Sequence, residues 1–260
     1  MAIPSKLSLP NRIKLRFGSV FMRVMLRKFA KGAHLQPQID ALHAFGAKRL
    51  PPGVNAAMER DVAALREAGS LAGACGVGET FPNFELRDQK GRSVSLDEML
   101  KSGYAVLAFV RGGWCPYCNL ELRALHNRLK EMESLGATLA AVSPEVPDRE
   151  VSFANLSPVA FPVLHDENNR LAKRLRITWQ FGEDLKAING HYGMDIAYQN
   201  QDDSMVLPIP AVYVVGRDRR ILYAYLKADY TTRLEPQALI DTLTALNKPA
   251  PAPRLVAASA

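Results

Sequence analysis

The chain has 260 residues, 48% of them hydrophobic and 23% charged, with a formal net charge of +7. That length can bury a sizeable core in an ordinary globular composition, and the absence of any run of about 18 apolar residues argues against a membrane-spanning helix. Three cysteines, two of them in a Cys-x-x-Cys pair, do not form a secreted disulfide framework and point instead to a functional pair in a reducing compartment, hence a cytoplasmic location.

The charge is unevenly placed. Lys6, Arg12, Lys14, Arg16, Arg23, Arg27, Lys28 and Lys31 lie in the first 39 residues, which hold no acid, so the remainder is nearly neutral. A nucleic-acid-binding body is not expected from such a distribution. Within this basic arm Ile13, Phe17, Val20, Phe21, Val24, Met25 and Phe29 follow amphipathic helical spacing, with Leu15, Met22 and Leu26 blurring the polar face. Three uses compete: docking on its own body or a second subunit in a homodimer, contact with an anionic membrane surface, or a targeting segment.

Two further helices are expected over 36–50 and 55–68, separated by Pro51, Pro52 and Gly53, with Asn55 as N-cap of the second. A Gly/Ala-rich joint over 69–78 carries Cys75, which reads as a small apolar filler rather than a resolving thiol. A strand over 81–87 leads into a turn, and Ser95 with Glu98 opens a short helix in a capping-box pattern. From Tyr104 strands and helices alternate: strand 104–110, a helix after Pro116 with periodicity over 119–132, strand 137–142, helix 148–155, strand 161–164 and helix 168–176. A long polar stretch then reaches Leu207. Strands 211–215 and 221–226 form a hairpin, and helix 235–246 closes the fold. The expected divisions are a basic arm over 1–35, a helical extension and joint over 36–75, an α/β domain over 76–247 and a disordered tail over 248–260. This order suits a thioredoxin-like α/β fold, a central mixed sheet flanked by helices with an N-terminal helical extension.

The chemistry concentrates after the 104–110 strand, in Arg111-Gly112-Gly113-Trp114-Cys115-Pro116-Tyr117-Cys118. Pro116 at a first helical position leaves Cys115 at the N-cap and Cys118 in the same turn. The helix terminus and Arg111 both favour a thiolate, and the two sulfurs sit close enough to bridge. The competing use of Cys-x-x-Cys is half of a zinc site, but His34, His43, His126, His165 and His191 show no paired spacing, so no metal is expected. His126 reads as a packing or surface residue. Pro210 marks the start of the 211–215 strand, with a cis peptide or an ordinary trans turn as alternatives.

The stretch 109–125 resembles the peroxiredoxin-like branch of the alkyl hydroperoxide reductase/thiol-specific antioxidant (AhpC/TSA) family. Supporting segments are Gly78–Leu86, Ala141–Pro144, Phe161–Asp166, Leu207–Ala211 and Asp229–Pro236. The resemblance covers about residues 36–247 and implies a thioredoxin fold with Pro210 as a cis-proline beside the dithiol. It places Cys118 where the family has its peroxidatic cysteine and Glu121 on a glutamate of the same helix. Arg111 stands in the place of the family's proline, Cys115 in that of its hydroxyl residue, and Ile209 about where its arginine is expected. The resemblance therefore implies a thiol-dependent oxidoreductase without a cofactor. It would cycle Cys115 and Cys118 between dithiol and disulfide, with Arg111, Trp114, Tyr117, Glu121 and Pro210 in support. A hydroperoxide or protein disulfide would be the substrate, and a thioredoxin or glutathione system the thiol donor. The rival reading is a non-catalytic redox-sensing or interaction module of thioredoxin fold, with the N-terminal helix providing the contact.

Overall fold

A computed structural model of the protein describes residues 20, 23–24, 26–29, 34–149, 151–191 and 194–248. The chain starts with helices α1 (Leu35–Arg49) and α2 (Pro52–Glu67), followed by strands β1 (Glu85–Asp88) and β2 (Ser93–Ser95) and helix α3 (Leu96–Leu100). Strand β3 (Tyr104–Phe109) leads to α4 (Pro116–Asn127) and α5 (Leu129–Ser134), then to β4 (Ala137–Ser143), α6 (Phe153–Leu156) and β5 (Val163–His165). After α7 (Arg170–Arg174) come β6 (Thr178–Gln180), α8 (Glu183–His191), α9 (Ile196–Asn200) and β7 (Val206–Pro208). Strands β8 (Ala211–Val215) and β9 (Ile221–Leu226) and helix α10 (Pro236–Leu246) complete the order.

Seven strands form one mixed sheet in the order β2-β1-β5-β4-β3-β8-β9, while β6 and β7 pair separately. The centre is β3, parallel to β4 and antiparallel to β8, with Phe109 opposite Val142 on one side and Ala211 on the other. Its unbroken apolar run reflects this placement, because a strand covered on both faces has no polar alternation to display. Val106, Ala108 and Val110 enter one core and Ala105, Leu107 and Phe109 the other. The carboxyl end of β3 thus delivers the following turn to the middle of the molecule.

Several expectations take a different form in space. Helix α2 begins at Pro52 with Pro51 as N-cap; Asn55 lies inside the helix and donates to the Gly46 carbonyl instead. Pro at the first position starts the helix three residues before the expected cap. The helix after Pro116 is broken at Arg128, whose φ of −110° and ψ of 10° separate α4 from α5. The expected 148–155 helix contracts to α6, and the polar stretch before Leu207 holds two helices and a two-stranded ribbon. Ser95 caps α3 as expected, accepting from the Glu98 N–H at 3.2 Å.

The joint is packed rather than loose at Cys75: its N–H meets the Leu175 carbonyl, its own carbonyl accepts from the Tyr213 hydroxyl, and its side chain is buried. His126 packs near Phe161 and accepts from the Ala160 N–H. In the arm, the described residues 20, 23–24 and 26–29 are helical, and Leu26 and Phe29 are buried while Val20 and Val24 are 57% and 61% exposed. Docking therefore uses Leu26, which the spacing put outside the apolar face, with Phe29 edge-on to Phe45 at 5.4 Å. The rest of the arm and the tail from 249 lie outside the described residues. Among the described residues no helix is long and apolar enough to cross a membrane.

Candidate active site

The turn after β3 is shaped by close backbone approach. Gly112 has φ of +144°, and a Cβ there would lie 2.5 Å from Trp114 Nε1. A Cβ on Gly113 would lie 2.3 Å from the Val151 carbonyl oxygen, so only glycine lets this turn seat against the 151–153 backbone. Glu145, at the end of β4, holds the two together: its carboxylate accepts from the N–H groups of Gly113 and Phe153, the latter at 2.8 Å. Burial, only partly offset by these two donors, raises its pKa to about 7. Asn119 reaches back to the carbonyls of Gly113 and Cys115.

Cys115 is the N-cap of α4 and Pro116 its first residue, as the spacing predicts. Both Cys115 and Cys118 are 0% exposed and reduced. Each sulfur has its own guanidinium. Arg111 Nη2 donates to Cys115 Sγ at 3.1 Å, and Arg233 Nη2 to Cys118 Sγ at 3.2 Å. Arg233 Nε also lies 2.7 Å from Glu121 Oε2, a pair whose side chains are 1% and 2% exposed. No carboxylate is within ion-pair distance of Arg111 among the described residues; its guanidinium lies 4.1 Å from the Tyr230 ring centroid and 5.3 Å from that of Trp114. Arg233 is thus paired with Glu121 while Arg111 has no carboxylate in contact, and a thiolate at Cys115 would complement it.

The thiols divide that role. Burial opposes ionisation of Cys115, but the hydrogen bond from Cys118 and the charges of Arg111 and Arg233 outweigh it and hold its pKa well below the ordinary thiol value. Cys118 is pushed well above it by burial, by the hydrogen bond it gives to Cys115 and by that neighbour's charge, against Arg233 and Arg111. These directions favour a Cys115 thiolate accepting from a Cys118 thiol. Burial, then Arg233, set Glu121, whose pKa is raised to about 7.

Of the residues singled out by sequence, Arg111, Trp114, Cys115, Cys118 and Glu121 converge here. Tyr117 points toward α1, 5.3 Å from the His43 ring, and burial first of all raises its pKa to about 12. The Ile209–Pro210 peptide is trans, which corrects the expected cis-proline. In that form Ile209 donates to the Ile177 carbonyl at 2.7 Å and Ala211 pairs with Phe109. Ile209 itself supplies no guanidinium to the site; the one on Cys118 is brought by Arg233 from the loop after β9. Arg233, Tyr230, Asn119 and Glu145 escaped the sequence reading, although Arg233 and Tyr230 lie in the Asp229–Pro236 segment already singled out. Among the described residues no group of three or more His, Cys, Asp or Glu could hold a metal.

The sequence profile of the AhpC/TSA family matches residues 77–224, more than half of the chain. A 1-Cys peroxiredoxin of Triticum aestivum is 26% identical over 165 residues, 60% of this chain and 66% of that protein. A chloroplastic peroxiredoxin Q of the same plant is 28% identical over 142 residues, 55% of this chain and 63% of that protein. The match thus spans just under two thirds of these relatives' length. Among solved structures, peroxidoxin BcpB of Mycobacterium tuberculosis superposes with a TM-score of 0.51 at 20% identity, covering 66% of this chain and 99% of that one. PrxQ of Xylella fastidiosa gives 0.51 at 16% identity, covering 66% and 97%. These structures establish a shared thioredoxin-type fold.

Proposed function

The chain belongs to the AhpC/TSA family, and from that premise we propose that it is a thiol-dependent peroxidase. The family position of the attacking cysteine falls on Cys118, but the N-cap place and the lowered pKa of Cys115 support a reading in which Cys115 attacks and Cys118 resolves. The observation that carries this reading is the buried pair of sulfurs with one guanidinium on each. The Cys115 thiolate attacks one oxygen of a hydroperoxide and the O–O bond breaks. Cys115 becomes a sulfenic acid, and the departing alkoxide or hydroxide takes up a proton. Arg111 and Arg233 offset the negative charge as it moves from sulfur to oxygen. Cys118 then attacks the Cys115 sulfur, its own proton leaves with the hydroxyl as water, and a Cys115–Cys118 disulfide forms. Because they lie in one helical turn, this second step needs no long-range movement. An external dithiol of thioredoxin type returns both sulfurs to the thiol state, leaving its own cysteines as a disulfide.

Burial favours the peroxide over a protein disulfide. A hydroperoxide is small enough to reach a covered sulfur through modest fluctuation, whereas exchange with a protein, whether attack on its disulfide or reduction by a thioredoxin-type dithiol, requires local opening that exposes the pair, so the first step favours the peroxide. The test is hydroperoxide consumption with a thioredoxin or dithiothreitol donor, run beside insulin reduction, with sulfenic acid trapping in the Cys118→Ser variant. Peroxide turnover and a trapped Cys115 sulfenic acid are expected. Trapping at Cys118 in Cys115→Ser alone would exchange the two roles, and no turnover in either assay would leave the redox-sensing reading standing.

A further inference from the structure

Helix α2 lies outside the 77–224 family match, yet it reaches the thiol site. Arg60 pairs with Asp184 at 2.6 Å and Arg66 with Asp229, the residue before Tyr230, at 3.0 Å. Between them Asp61 turns inward. Its Oδ1 is so close to Gly182 that a Cβ there would come within 2.6 Å of it. Its Oδ2 and the Tyr230 hydroxyl are both buried and neither has a hydrogen-bond partner among the described residues, so each is the other's candidate partner; burial raises the Asp61 pKa and Tyr230 opposes that rise. The Tyr230 ring stacks on Trp179 at 5.5 Å and an interplanar angle of 15°, and it carries the Arg111 guanidinium 4.1 Å from its centroid.

Arg111 makes no ion pair among the described residues, although the Asp61 charge acts on it from further off; its near neighbours are aromatic faces and a sulfur, so the orientation of the Tyr230 ring sets where this cation sits. A stacked ring is fixed in its plane but free to slide until its polar end is held. We propose that Asp61 is a positioning residue for the thiol site: it holds the Tyr230 hydroxyl, and Tyr230 in turn sets the Arg111 guanidinium against Cys115. The inference rests on Cys115 being the ionised thiol. It makes the helical extension part of the active machinery, completing from outside the family region a site whose two sulfurs lie within it.

The sign of the effect separates positioning from simple charge. The Asp61 carboxylate opposes a nearby thiolate, so deleting its charge alone would move Cys115 ionisation to lower pH. Loosening Tyr230 and Arg111 would move it to higher pH. The experiment is the pH profile of Cys115 alkylation by iodoacetamide in the full chain, read by mass spectrometry of the Cys115 peptide, with thermal melting recorded beside it. Asp61→Ala is expected to displace the profile to higher pH and slow alkylation at pH 7 by about tenfold, since the thiolate is the reacting form. Tyr230→Phe keeps the ring and removes the hydroxyl, and is expected to shift the profile in the same direction. Asp61→Asn, whose amide oxygen still accepts from that hydroxyl, is expected to shift it less than Asp61→Ala. If Asp61→Ala does not fold, Tyr230→Phe and Asp61→Asn carry the test. An Asp61→Ala profile unchanged or moved to lower pH overturns the inference, as does a Tyr230→Phe profile that coincides with the wild type. An ordinary thiol profile at Cys115 in the wild type rejects the underlying reading instead.

Discussion

Arg233 ties Cys118 to a buried acid: one of its nitrogens donates to the sulfur at 3.2 Å while another lies 2.7 Å from Glu121 Oε2. The two sides of this cation compete. While Glu121 is ionised it absorbs much of the guanidinium's field, and Cys118 remains a protonated thiol that can serve as a donor to Cys115. Replacing Glu121 with Gln leaves the charge of Arg233 directed at sulfur. The expected outcome is a Cys118 alkylation profile displaced to lower pH. A Cys118 profile that stays where it was would show that Glu121 does not control the second thiol.

Arg111 acts on the other sulfur. Arg111→Met keeps much of the packing between Trp114 and Tyr230 but removes the cation nearest Cys115. Peroxide consumption at pH 7 is expected to fall by at least about tenfold, through loss of thiolate and of charge stabilisation in the transition state. Raising the pH should restore the part that depends on ionisation. The check is the full pH–rate profile, and a variant whose deficit is the same at every pH would show that Arg111 serves only the transition state.

The sequence shows the local half of this site and hides the distant half. Cys115, Pro116 and Cys118 announce a helix start through chemistry confined to four residues, and β8 and β9 follow from two apolar runs around a turn. Arg233 is different: it stands 115 residues from Cys118 along the chain. Nothing in its neighbours distinguishes a buried cation from a solvated one until the loop after β9 is laid over α4. Glu145 is equally silent, because its partners are the backbone N–H groups of Gly113 and Phe153, which every sequence offers. In the polar stretch before Leu207, the short α8 and α9 and the paired β6 and β7 owe their form to packing rather than to a strong period. The arm shows the same limit, since moving the buried stripe to Leu26 is a choice made by the surface beneath it.

Glu145 gives the fold a pH dependence with a definite sign. Its folded pKa of about 7 lies above the ordinary 4.5, so between these values the folded state binds more protons than the unfolded one. Stability from this group is complete below about pH 4.5 and is lost as pH rises to about 7, by roughly 3 kcal/mol. Glu121, raised to about 7 as well, acts in the same direction. Glu145→Gln cannot accept from both Gly113 and Phe153 and is expected to be less stable at pH 5 than the wild type. It should nevertheless lose less stability than the wild type between pH 5 and pH 8. Denaturant titration of the reduced protein at the two pH values measures this, and an unaltered difference would remove Glu145 from the account.

Helix α1 packs against α4, the helix that carries the dithiol, with the His43 ring 5.3 Å from the Tyr117 ring. Its first N–H groups, from Leu35 and Gln36, are received by the Glu235 carboxylate at 3.0 to 3.1 Å, and Leu35, Ile39 and Leu42 are buried beneath it. With both sulfur-bearing residues at 0% exposure, reagent size should control access in the native protein. Ile39→Ala removes part of the apolar face that keeps α1 down, at a cost of about 2 to 5 kcal/mol, and some of that cost is expressed as local opening short of global unfolding. A maleimide polymer of about 5 kDa, with roughly the bulk of a small protein, is expected to label the wild-type pair far more slowly than N-ethylmaleimide. In Ile39→Ala the ratio of the two rates should narrow by about tenfold, because a sub-global opening admits both reagents alike. Equal ratios in the two proteins would mean that the thiols are reached by a route that leaves α1 in place.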